Sequence, residues 1–422
     1  MAHSISRRQF LQGSGAAALS VAAAGLLSSC GGSSASNGGS TGAAGSSSTY
    51  TVLYSRQPAT LNYLVCSADP DLYHGTQCID TLVEYDNRGK IREGLATAWE
   101  WDADSLTWTF HLRDENWVDC NGEVLGPVTA QDFVDALAYV LNPDYASSTA
   151  SLVTPYVAGA DDYYNYCVYR NNANNGTVAE DGTTYAIDAN GTVTAAAADG
   201  TTTEYPAVDF STVGVKAVDD HTLVIRLEKS SPDLPSLTAG AHYMPCNQSY
   251  FESCEGHYGL SSEYLITNGP FTFGSTYSWQ TDSGKRSITV SRSETYQGDH
   301  KVQAASVTFL IDYDQSYDED PITALVSGSV DILTLPDDQA QAAEDQGCTL
   351  LSLNDAVTGL LLNPQSEKLE NTQLRSLFFK SLNRQDLLAQ RGNTPEAQGI
   401  MPACVLWDKE PYYAEGQTAY TL

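Results

Sequence analysis

The sequence predicts an α/β protein of more than one lobe, with mixed sheets, and three observations carry that prediction. The chain has 422 residues, enough for two or three domains at roughly 100–200 residues each. Its 42% hydrophobic and 10% aromatic content, against 17% charged residues, supplies packed cores and excludes wholesale disorder. From Asp320 onward short helical and strand patterns alternate, an order that gives parallel strands covered by helices.

The first fifty residues read as an address. Ser6-Arg7-Arg8-Gln9-Phe10-Leu11 has the form of a twin-arginine signal, with Arg7 and Arg8 as its pair, and an apolar stretch follows to Leu27. Leu27-Ser28-Ser29-Cys30 reads as a lipobox, so residues 1–29 are expected to be a signal peptide and Cys30 the acylated N-terminus. Residues 30–49 then form a lipidated cysteine and flexible linker; positions 31–48 contain only Gly, Ser, Ala, Thr and Asn. Such a coil has a root-mean-square reach of roughly 23 Å. No later stretch reaches the roughly 18 apolar residues of a spanning helix.

The charge balance is 21 Lys+Arg against 52 Asp+Glu, a formal net charge of −31. Phosphate binding needs a basic surface that releases counterions, so nucleic acid is excluded as a partner. Anionic headgroups would repel this body, so a membrane would be reached through the lipid at Cys30. Beyond Cys30 the even number of cysteines suits an exported, disulfide-bonded chain, and Cys246 and Cys254 lie close enough to close a small loop. No CxxC occurs, and neither a metal site nor a cofactor is expected.

Along the body, Val52-Leu53-Tyr54 opens a strand, a helix is expected over 71–85, and Asn87-Arg88-Gly89 turns the chain. Residues 107–113 alternate with period two, as in a half-buried strand. Thr129 caps a helix over 130–141, with Asp132 at N3 approximating a capping box and Phe133, Ala136, Leu137 and Val140 on one apolar face; Asn142-Pro143 stops it. Residues 171–205 change to Asn, Gly, Thr, Ala and Asp, with turns at Asn174-Asn175-Gly176, Asp181-Gly182, Asn190-Gly191 and Asp199-Gly200, and read as small hairpins on a surface excursion rather than a core. Strands follow at 222–227, 287–291 and 306–311. Beyond Asp320 the expected order is a helix from Pro321 to about 327, a strand over 330–335, a helix ending before Gly347, strands at 350–353 and 358–363, and helices over 372–382 and 384–389.

Between Glu93 and Pro143 the order Gly94-Leu95-Ala96, Trp99, Trp108-Thr109-Phe110-His111-Leu112-Arg113, Trp117-Val118-Asp119, Val128-Thr129-Ala130-Gln131-Asp132-Phe133-Val134 and Asn142-Pro143 resembles the family 5 solute-binding proteins of ABC transporters. Gly214-Val215-Lys216-Ala217-Val218-Asp219-Asp220-His221-Thr222-Leu223 and Thr267-Asn268-Gly269-Pro270-Phe271, with Ser291-Arg292-Ser293 and Tyr296, look like the oligopeptide-binding branch. The resemblance implies a two-lobed periplasmic-binding-protein fold of type II with an extra small domain. Lobe I would take 50–93 plus 213–308, the small domain 94–212 with its insertion at 171–205, and lobe II 309–422. Two departures stand out. Lys368-Leu369-Glu370-Asn371 replaces the family's Pro-Phe-x-Asp, and family members continue past the point where this chain stops at Leu422, so lobe II is expected to be incomplete.

The resemblance implies a monomeric, extracytoplasmic lipoprotein that captures short peptides between its lobes and delivers them to permease subunits, with ATPase subunits behind them. A carrier indifferent to side chains can hold its guest as an added strand, satisfying the guest's amides with backbone. By comparison with the family, Cys66-Ser67-Ala68-Asp69-Pro70-Asp71 falls at the cleft strand, and Asn268 and Gly269 where the chain passes close to ligand. Asp69 or Asp71 would face the guest's ammonium, and Tyr277 and Trp279 would roof a side-chain pocket. The rival readings are the same fold holding a metal chelate, haem, sugar or opine, and a secreted hydrolase; for the last, HExxH and P-loop motifs are absent from the sequence and GxSxG occurs only within the Gly/Ser linker, at Gly38–Gly42, and no enzyme activity is expected.

Overall fold

The computed structural model describes residues 48–54, 60–66, 75–86, 90–274, 280–282, 285–298, 302–311, 320–335, 339–350, 359–389, 406–407 and 410–411. The expectations for Arg7, Arg8, Cys30 and the linker up to residue 47 lie outside these residues, as do Ser67, Ala68, Asp69, Pro70, Asp71, Tyr277 and Trp279. Two compact units are present, Met1–Ser316 and Tyr317–Leu422.

The first unit is organised by two sheets. In one, β1 (Thr49–Tyr54) runs parallel to β16 (Ser306–Ile311), which pairs antiparallel with β15 (Lys285–Arg292). β13 (Phe271–Phe273) and β14 (Gln280–Asp282) both pair with β15. Ile288, Val290, Val307, Phe309, Phe271 and Phe273 alternate along these strands and are all buried, which fixes the register because a one-residue slip would turn them to solvent. The parallel β1–β16 pair joins residues more than 250 positions apart, so the chain's beginning and the end of this unit are tied by one ladder.

The second sheet is antiparallel, in the order β11 (Val215–Asp219), β12 (Thr222–Arg226), β5 (Thr107–Leu112) and β4 (Ala96–Asp102). Trp108, Phe110, Leu112, Leu223 and Ile225 face inward, as the alternation over 107–113 predicted. Because β12 pairs directly with β5, the expected domain division at 212/213 separates strands that need each other; 215–226 completes the sheet begun at 96. Helix α2 (Ala130–Val140) packs on this sheet through Phe133, Ala136, Leu137 and Val140, with Ala130 and Asp132 also buried. Its expected cap is present: Thr129 N donates to Asp132 Oδ2 at 2.7 Å.

Three expectations are corrected. Over 71–85 the described part is a single helical turn, α1 (Gly75–Cys78), and then strand β2 (Val83–Tyr85) pairing β3 (Ile91–Glu93), because Asp80 is bonded to Arg113 and the Thr81 carbonyl accepts from Leu95 N. The 171–205 segment does turn at Gly182, Gly191 and Gly200, each at a φ near +85° that favours glycine. Yet its strands β8 (Thr184–Ile187), β9 (Val193–Ala196) and β10 (Thr202–Tyr205) lie on helix α3 (Ala160–Asn175), burying Tyr166, Cys167 and Val193 in a core of their own. Finally, Cys246 and Cys254 are separate buried thiols: Cys246 is drawn to the Tyr258 hydroxyl, and Cys254 Sγ donates to Tyr264 O at 3.9 Å.

In the second unit, α6 (Pro321–Ser327) starts at Asp320, whose Oδ2 accepts from Thr323 N at 3.0 Å, and ends at Gly328 with φ +77°. α7 (Ala340–Asp345), α8 (Thr372–Ser381) and α9 (Arg384–Ala389) follow as predicted, and Arg375 Nη1 donates to Leu369 O and Glu370 O just before its own helix. Among the described residues the expected strands do not form. Residues 330–335 reduce to a single bridging residue, Ile332; 359–363 form no strand; and 351–358 lie outside the described residues. Alternation marks where strands can form, but each needs a hydrogen-bonded neighbour, and no ladder joins these segments among the described residues. The pairing that is described here is the short hairpin of β17 (Leu406–Trp407) and β18 (Glu410–Pro411). No described helix is long and apolar enough to cross a membrane.

Candidate functional site

Strand β6 (Asn116–Val118) pairs with β7 (Val124–Pro127), and its last residue also exchanges two backbone bonds with Thr267: Val118 N to Thr267 O and Thr267 N to Val118 O, both 2.8 Å. This bridge delivers Asn268 and Gly269 against the segment 78–80. Asn268 N and Gly269 N both donate to Cys78 O, at 3.2 and 2.8 Å, and Asn268 Oδ1 accepts from Asp80 N at 3.0 Å. Gly269 is glycine for a steric reason. A Cβ there would stand 2.7 Å from the Cys78 carbonyl carbon, closer than backbone tolerates.

Asn268 is 2% exposed, and its Nδ2 has no hydrogen-bond partner among the described residues. A buried amide donor without an acceptor costs about 1–3 kcal/mol, which makes this NH₂ an uncommitted donor. Three bonds fix the Asn268 and Gly269 backbone and the Asn268 oxygen, and the amide NH₂ is what remains to offer. An amide NH₂ of this kind can serve an oxygen acceptor, and it offers no lone pair to a metal ion.

Beneath this segment lies an ionic cluster assembled from three distant parts of the chain. Arg113, at the end of β5, donates through Nη2 to Asp80 Oδ2 at 2.6 Å, through Nη1 to Glu115 Oε2, and through Nε to Gly94 O at 3.2 Å. Tyr296 Oη donates to the same Asp80 Oδ2 at 2.8 Å, and the guanidinium stands 5.2 Å from the Tyr296 ring centroid. Glu115 also accepts from Asn116 N at 3.0 Å and Gln297 N at 3.1 Å. Asp80 and Glu115 are each 3% exposed. Burial, reinforced by Glu84 and Glu115 and opposed by Arg113 and Tyr296, raises the Asp80 carboxyl to about 7, while burial and the charge on Asp80 hold the Tyr296 hydroxyl well above its usual range.

Trp117 anchors the site from the other side. It is fully buried, and its Nε1 donates to Asp132 Oδ2 at 3.1 Å, the carboxylate that caps α2. Burial lifts Asp132 to about 6, against the Thr129 and Trp117 hydrogen bonds that favour its charge.

Of the residues picked from the sequence, Asn268 and Gly269 sit at this joint. Cys66 lies in a different turn: its Sγ donates to Asn62 O at 3.1 Å, and the preceding Val65 O accepts from both Ser148 N and Ser148 Oγ. Sequence reasoning missed Asp80, Glu115 and the connection of Arg113 with Tyr296. The available signal was an Arg followed directly by two acids, Asp114 and Glu115, at the end of a buried strand.

Residues 90–421 match the profile described as bacterial extracellular solute-binding proteins, family 5 Middle. Among curated proteins, the chain is 34% identical over 229 residues to the oligopeptide-binding protein AliB of Streptococcus pneumoniae, covering 53% of this chain and 28% of that protein. It is 25% identical over 350 residues to the oligopeptide-binding protein OppA of Bacillus subtilis, covering 80% and 54%. Among solved structures, Burkholderia pseudomallei OppA superposes with a TM-score of 0.59 at 20% identity, covering 87% of this chain and 62% of that one. Listeria monocytogenes OppA bound to peptide gives 0.58 at 17% identity, covering 88% and 64%. These structures share the fold. The chain spans from about a quarter to just over half the length of the curated relatives named here.

Proposed function

Because the chain belongs to the family 5 bacterial extracellular solute-binding proteins, we propose that it captures short peptides and releases them unchanged to an ABC permease driven by partner ATPase subunits. The observation that carries this reading is the Asn268 amide: a buried donor, fixed by its own oxygen and backbone, that a guest's carbonyl would satisfy. The oligopeptide-binding relatives support peptides as the source of that carbonyl. Main-chain recognition suits a carrier that serves many sequences, since every peptide presents the same amides. We further propose that the Ser67–Asp71 segment contributes to the same guest, that Cys30 is the lipidated anchor on the outer face of the cell membrane after export through Arg7 and Arg8, and that the protein works as a monomer without chemistry of its own.

A ligand that binds only the folded state raises its melting temperature by mass action. Thermal unfolding of the full chain against a di- to pentapeptide library, a sugar panel and divalent metals tests the reading. Upward shifts with peptides alone are expected; shifts confined to sugars or metals would replace peptide with the rival ligand.

A further inference from the structure

Asp80 and Glu115 share one guanidinium, so the buried cluster holds one negative charge that Arg113 does not compensate. The residues that carry the two carboxylates are also each tied to the segment that carries Asn268. Asp80 reaches it through its own N–H, bonded to Asn268 Oδ1. Glu115 reaches it through Asn116 N at the start of β6, whose last residue bridges to Thr267. Repulsion between two carboxylates in a low-dielectric interior is relieved by uptake of a proton. The charge state of the cluster therefore bears on the spacing of the two strands of chain that together hold positions 267 and 268.

We infer that Asp80 is a proton-linked positioning residue for the binding site: gain or loss of one proton within the Asp80–Arg113–Glu115–Tyr296 cluster changes how the Asn268 amide is held. The groups that face Asp80 are Glu84 on β2, Arg113 at the end of β5, Glu115 just before β6, and Tyr296 in the loop after β15. Glu84 and Glu115 favour the protonated form, and Arg113 and Tyr296 the ionised form. With Asp80 protonated the two carboxylates no longer repel, and the segment that holds Asn268 is relieved of that repulsion. The consequence for ligand rests on the peptide-binding reading above: peptide affinity should be about fivefold higher at pH 6 than at pH 8, a modest coupling between sites.

The test has one readout that needs no ligand. In the free full-length protein, the side-chain amide resonances of Asn268, identified by their loss in Asn268→Ser, are followed from pH 5 to 9. The inference expects them to titrate with a midpoint of about 7, to stop titrating in Asp80→Asn, and to shift to a lower midpoint in Glu115→Gln. Flat resonances in the wild-type chain, or a titration that persists unchanged in Asp80→Asn, would overturn it. If Asp80→Asn does not fold, the direction of the Glu115→Gln shift decides. Peptide titration across the same pH range separates the two readings. No binding at any pH with the resonance titration intact sinks the peptide assignment alone; binding that ignores pH while Asn268 titrates sinks the proposed coupling to affinity.

Discussion

Arg113→Met lowers the free energy of unfolding by about 3–5 kcal/mol at pH 8, because it strands two buried carboxylates without their cation. The loss is smaller at pH 5, where a proton on Asp80 removes one of those charges. The sign for Asp80 itself follows from its raised value. The folded state binds this proton more tightly than the unfolded chain, so the group's contribution to stability is fully present below the unfolded value near 4 and is lost as pH rises through about 7. Asp80→Asn, which mimics the protonated form, therefore gains stability relative to wild type as pH climbs from 5 to 8. Urea unfolding followed by tryptophan fluorescence at the two pH values reads both effects. A loss for Arg113→Met that is equal at pH 5 and pH 8 would show that the cluster carries no titrating charge.

Trp117→Ala has a comparable cost, about 3–5 kcal/mol from the cavity alone, because the indole is fully buried. It also removes one of the donors to Asp132 Oδ2, leaving that buried carboxylate to the Thr129 bonds. Trp117→Phe keeps most of the apolar volume and separates the two contributions: its smaller loss reports the missing indole N–H, which raises Asp132 and makes α2 more sensitive to pH between about 4 and 7. Denaturant midpoints of the two variants check the order. A Trp117→Phe loss as large as that of Trp117→Ala would mean that the hydrogen bond to the helix cap, and not packing, dominates at this position.

What the sequence revealed and what it withheld divide along the range of the interactions. Strand β5 and helix α2 were legible because their signals are local: a period-two alternation through Trp108, Phe110 and Leu112, and a Thr129–Asp132 cap ahead of one apolar face. Turns at Gly182, Gly191 and Gly200 were legible for the same reason. Helix α3 was not, since Tyr, Asn and Cys give it no aliphatic stripe, and it packs on the small sheet through Tyr166 and Cys167, with Tyr169 stacked on Tyr185 and tilted against Tyr205. The helix expected over 71–85 gives way to a single turn and a strand because Asp80 answers to Arg113, Tyr296 and Asn268, partners 33 to 216 positions away. Asn268 and Gly269 were picked from their motif; the uncommitted Nδ2, and the clash that forbids a side chain at 269, are visible only when residues 78–80 are in place.

The account stands or falls on a guest held by its main chain. Isothermal titration of the full chain with one tightly bound peptide and with its analogues N-methylated at successive amides or carrying ester links measures that directly. Each lost backbone hydrogen bond is worth roughly 0.5–1.5 kcal/mol, or about two- to tenfold in affinity. The account predicts a drop of that size at two or more positions, and a smaller penalty for those same analogues in Asn268→Ala wherever the weakened carbonyl is the one Asn268 receives. Equal affinity for the peptide and every backbone analogue would contradict it.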